Sequence, residues 1–143
     1  MLKLFLTTLL ILLFSIGVEI NGAVNAQTNT RQINTAMEDI RVAVVKNLGS
    51  QDKEVEVSRT GNVLTISRVN SNMNGAPHQL VSNEATSIAA VVSKAIVDKP
   101  EFNGIHTIRV QYLDRAGSPV KNKIVDSVEF RKGKNGAFEI HLT

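Results

Sequence analysis

The hydrophobic positions of this chain change period along its length, and each change predicts an element. Ile33, Ala36, Met37, Ile40, Val44 and Leu48 recur at the three- and four-residue spacing of one helix face, with Thr30 placed to cap the start and Gly49 to end it. From Glu54 the period drops to two, since Glu54-Val55-Glu56-Val57-Ser58-Arg59 alternates polar with apolar as a strand covered on one face does. Thr60-Gly61-Asn62 turns the chain, and Val63 to Val69 (VLTISRV), rich in β-branched residues, returns as the hairpin partner. The helical period then resumes. Val81, Ala85, Ile88, Ala89, Val92, Ala95 and Ile96 share one face, with Ser82 or Asn83 as the expected cap and Pro100 as the stop.

Three further strands are predicted beyond Asn103-Gly104. Ile105 to Leu113 turns Ile108, Val110 and Tyr112 one way; Lys123 to Lys132 places Ile124, Val128 and Phe130 in register; Ala137 to Thr143 points Phe138, Ile140 and Leu142 inward. Turn-forming clusters at Asp114 to Pro119 and Gly133 to Gly136 separate them. The order is αββαβββ. It predicts an α+β domain with two helices packed on one face of a mainly antiparallel sheet.

The amino end changes the picture of where this domain works. Lys3 is a cationic tip, Leu4 to Val18 is an apolar run shorter than the roughly 20 residues a membrane-spanning helix needs, and small residues surround Ala23 and Ala26. These are the parts of a secretory signal. We expect a leader over residues 1–26 cleaved after Ala26, a loose lead-in over 27–32, a single domain over 33–143, and a periplasmic or secreted product. The chain has no cysteine, which excludes disulfide stapling, thiol catalysis, cysteine-ligated metals and a lipid-anchoring cysteine.

Charge matters through its distribution. The net charge is only +3, too small an excess to imply nucleic acid, and five Phe with one Tyr supply few stacking platforms for single strands. The cations crowd the C-terminal third, however, at Arg109, Arg115, Lys121, Lys123, Arg131, Lys132 and Lys134 against Asp114, Asp126 and Glu129. If a binding face exists, this is the first place to look, with an anionic membrane surface or an acidic envelope protein opposite. A solvated face that keeps the protein soluble is the plainer reading of the same residues.

From Ile33 to Tyr112 the arrangement resembles the BON domain, a small αββαβ module of exported and envelope proteins of bacteria. In the hairpin, "GNVLTISRV" offers Gly61, Val63 and Val69 at the family's glycine and apolar positions, and in the last strand "GIHTIRVQY" offers Gly104, Ile105, Ile108 and Val110. Thr65 and Ser67 stand where the family prefers leucine and a second glycine, the crossing before the second helix is longer, and two strands are additional. The resemblance implies a module that associates with membranes or envelope partners without catalysis.

Groups able to do chemistry are few. His78, His106 and His141 are the only imidazoles, none in a metal-ligand spacing, so no cofactor or metal is expected. His106 alternates onto the face of Ile108 and Val110 and is expected to be a buried or edge histidine with a hydrogen-bond partner; His141 is expected to be solvated. A small hydrolase or metal-dependent enzyme would have to use His78 or His106, for instance His78 with Ser71 or Ser82 and Glu84, but no nucleophile-elbow glycines surround those serines. The crossing from Asn70 to about Gln79 presents Asn72, Asn74 and His78 as candidate binding groups, though asparagine also suits turns, and a spacer is the plainer reading. Self-association through an exposed edge at Ala137 to Thr143 is a further alternative.

Overall fold

A computed structural model describes residues 29–51, 54–117 and 119–141. The expected leader over 1–26 lies outside them. The chain divides after Thr35 into two units; of the first, residues 29–35 are described and are helical, and the second runs from Ala36 to Thr143. Residues 29–48 form α1, so the stretch expected as a loose lead-in is already helical from residue 29, and Thr30 lies inside the helix instead of capping it. Gly49 ends it as predicted, with φ +60, and a β carbon there would touch nothing, so the left-handed backbone alone is what calls for glycine.

Strands β1 (Val55–Thr60) and β2 (Val63–Val69) form the predicted hairpin, closed by the Thr60↔Val63 pair around Gly61 at φ +59. Helix α2 spans His78–Ile96, starting a turn before the expected caps. Pro77 precedes the first helical residue, and its carbonyl accepts from the N–H groups of Leu80 and Val81. Proline's fixed φ prepares the chain for a helix without a side-chain cap, which is why no capping residue marked the true start. Pro100 opens a single 3₁₀ turn, Pro100–Phe102, that tucks Phe102 into the core.

Strands β3 (Thr107–Ala116), β4 (Lys121–Lys132) and β5 (Phe138–His141) complete a sheet of order β1-β2-β3-β4-β5. Asp114, Arg115 and Ala116, expected in a turn, instead continue β3 and pair with Lys123, Asn122 and Lys121. Three of the strand pairings are antiparallel; β2 and β3 run parallel because α2 carries the chain back between them. The fold is thus α+β with a mixed, mostly antiparallel five-stranded sheet.

The core lies on one face of that sheet. Ala36, Ile40 and Val44 of α1 and Val81, Ala85, Ile88, Ala89, Val92 and Ile96 of α2 join Leu64, Ile66, Ile108, Val110, Tyr112, Val128 and Phe130 in one buried cluster. The other face is a polar ladder. Gln111 donates to Ser67 at 2.9 Å, and Arg109 to Glu129 at 2.6 and 2.8 Å. His106 is not buried as expected: it precedes the strand, and its backbone is spent on Asn62 and Lys132, so the alternation of β3 does not reach its side chain. His141 is half-buried in β5 opposite Glu129, and so less solvated than its sequence position suggests.

Candidate functional site

The register of β4 decides what becomes of the cationic residues. Arg109 and Arg131 both flank Glu129, at 2.6 and 3.9 Å, while Lys132 ends β4 and Lys134 lies in the turn that follows. Lys121 and Lys123 lie at the opposite end of the twelve-residue strand β4, and Arg115 lies beside them on β3, paired with Asn122. The seven side chains therefore form two groups about a strand length apart.

Within the second group Arg115 is committed. It grips the Glu56 carboxylate with two bonds, of 2.6 and 2.8 Å, and Asn122 with a third of 2.8 Å. Since Arg115 is on β3 and Glu56 on β1, the pair spans β2 near Val69, and Val69 and Leu113 are almost fully buried on this otherwise open face. The guanidinium hydrogen bonds hold Glu56 below the usual carboxylate range, with burial acting the other way, and Glu56 raises Arg115 in return. Among the described residues Lys121, Lys123, Lys132 and Lys134 make no ion pair.

Lys121 and Lys123 stand on the most exposed segment of the sheet. Every residue from Pro119 to Val125 is exposed, and Val120 (67%), Ile124 (60%) and Val125 (37%) show large apolar surfaces on either side of the two lysines. Among the described residues β5 pairs with Glu129 to Lys132 and not with this segment. A bulge at Tyr112/Leu113 leaves Val125 without a partner on β3. Beyond it, Asp126 bonds to the Ser127 N–H at 2.7 Å and to His78 Nδ1 at 3.0 Å.

The loop residues turn out to be fastenings. Asn70 adopts φ +50 and uses its side-chain amide as a strand would, accepting from Arg115 N–H at 2.7 Å and donating to Arg115 C=O at 3.2 Å. Asn74 donates to the Leu113 carbonyl at 3.0 Å and to Asp114 at 2.6 Å. His78 begins α2 and, though exposed, is tied to Asp126; Asn72 is also exposed, on the rim of a cavity of about 370 Å³, and Asn74 is half-buried.

Arg68, which the sequence reading passed over, forms the wall of that cavity. It is 3% exposed, donating from Nε to Glu84 at 3.2 Å and from Nη2 to Ser71 Oγ at 3.2 Å, with Glu54 3.7 Å from Nη1. Tyr112 donates to the same Glu84 oxygen at 3.1 Å, and burial, followed by the Glu84 charge, pushes its phenol far above the ordinary range. The signal was present, since Arg68 falls two residues after Ile66 on the inward side of β2.

The serine, histidine and acid weighed for hydrolysis are not assembled. His78 meets Asp126, Ser71 meets Arg68, and Glu84 meets Arg68 and Tyr112. Among the described residues no group of three or more His, Asp or Glu could hold a metal ion, and no helix is long and apolar enough to cross a membrane. Compared with known proteins, the chain matches no family model and no curated sequence.

Proposed function

We propose that this chain is an exported, non-enzymatic binding module that meets an acidic envelope protein through the cationic end of β4. The observation that carries the reading is the uncovered segment from Val120 to Val125, where Lys121 and Lys123 make no ion pair among the described residues and alternate with exposed Asn122 and Ile124. Fixed cations beside apolar surface attract an acidic partner and then gain from its burial. The titratable groups near the loop support a non-catalytic role because their hydrogen bonds are spent within the fold. In this reading residues 33–112 are a BON-like unit extended by β4 and β5, and the leader is removed on export.

The test is retention of the purified protein on immobilised oligoglutamate and on vesicles of neutral or anionic lipid, at low and moderate salt. Retention on oligoglutamate that falls with salt, and that K121E/K123E weakens about tenfold, or about 1.4 kcal/mol, is the expected result. Retention on anionic vesicles alone replaces the protein partner with a lipid surface. No retention on either overturns the reading.

A further inference from the structure

The exposed part of β4 offers backbone as well as charge. In an antiparallel ladder successive residues turn their N–H and C=O groups alternately to the two neighbouring strands. The phase on β3 is fixed by Leu113, whose carbonyl accepts from Asn70, and by Arg115, whose N–H and carbonyl both bind the Asn70 amide; these residues face β2. Asp114 and Ala116 therefore face β4, and their partners Lys123 and Lys121 face β3. That leaves the backbone groups of Asn122 and Ile124 pointing away from the sheet, where no described strand pairs with them.

We infer that residues Lys121 to Val125 accept an added strand from a partner protein, an extended segment in which acidic and apolar residues alternate. This rests on the binding-module reading and specifies its mode. Strand addition draws affinity from main-chain bonds and specificity from alternate side chains. Lys121 and Lys123 share one face here and select acidic residues, while Ile124, on the other face with Asn122, selects an apolar one. The segment is bounded: beyond the bulge the Ser127 N–H is already taken by Asp126.

A second copy of the chain is the wrong occupant. A two-fold axis through Lys123 sets that lysine against its own copy, and an axis through Asn122 sets Lys121 against Lys123. Like charges directly opposite are destabilising. An axis through Ile124 runs the pairing into the blocked positions 126 and 127.

The experiment is a titration of the full chain, with backbone amides observed by NMR, using a capped peptide of about seven residues alternating Glu and Val. Three comparison peptides are used: the same residues in blocks, a Lys-Val alternate, and the Glu-Val peptide N-methylated at every amide, so that neither edge can pair. Expected are shifts and slowed amide exchange at Asn122 and Ile124 with the alternating Glu-Val peptide, and loss of both on N-methylation. In K121E/K123E the Glu-Val peptide weakens about tenfold and the Lys-Val peptide gains. If the N-methylated or block peptide binds equally well, attraction without strand addition is at work, and the inference falls while the binding-module reading stands. If no peptide binds, both fall.

Discussion

Arg68 shows how much a single side chain can organise. A guanidinium buried with carboxylates on two sides is costly to isolate, and removing it leaves Glu84 close to a buried phenol with its main counter-charge gone. Arg68→Met is expected to destabilise the fold by about 3–5 kcal/mol in urea denaturation, with R68M/E84Q recovering part of the loss. A single variant and a double variant of equal stability would contradict the pairing. Asn70 makes a second residue-level case, because its backbone conformation and its side-chain bonds are separable. Asn70→Gly keeps the left-handed backbone and loses only the bonds, whereas Asn70→Ala loses both, so thermal melts are expected to rank native above glycine above alanine, the last by roughly 1–3 kcal/mol. The inward position of Arg68 was legible in VLTISRV, whose period of two carries it to the side of Leu64 and Ile66. Its partners were not, since Glu54 and Glu84 come from separate elements that only packing brings together.

At the scale of elements, periodicity located both helices and all five strands and misjudged their ends. Ends depend on backbone partners, which no local pattern reveals. Asp114, Arg115 and Ala116 read as turn formers, yet they extend β3 because β4 and Asn70 offer them bonds on both sides. The Glu56–Arg115 bridge belongs to this scale too, for it ties β1 to β3 across the strand between them. Glu56 has a lowered pKa in the fold, so its stabilising effect is complete above the ordinary carboxylate value of 4.5 and is lost as pH falls through the lowered folded value. Stability measured by urea from pH 7 to pH 3 is expected to be flat in this contribution until below pH 4.5 and then to decline. In Glu56→Gln that part of the slope disappears; an unchanged slope would show that Glu56 does not cause it.

For the molecule as a whole, the α+β class followed from the order of periods, but the candidate surface did not. Seven cations within one stretch of sequence look like one patch. A twelve-residue strand separates them at about 3.4 Å per residue, and three of them face carboxylates within the fold. What distinguishes Lys121 and Lys123 is that the described part of β5 pairs only with Glu129 to Lys132, a property of a neighbouring strand and not of their own sequence. Asparagines that looked available for a ligand are likewise occupied once β3 is beside them.

The parallel pairing of β2 with β3 also governs how the chain reaches this state. β1 with β2, and β3 with β4 and β5, are each joined by short turns and can assemble locally, but residues that meet across the central seam, such as Ser67 and Gln111, are 44 positions apart. Closing that separation before the seam gives any return makes it the slow step. Ile66→Val at the seam is expected to act chiefly on the folding rate, and Phe138→Leu at the last-added strand chiefly on the unfolding rate, in stopped-flow chevrons. The central strands would then be the gate through which every molecule must pass, and the outer strand a late arrival.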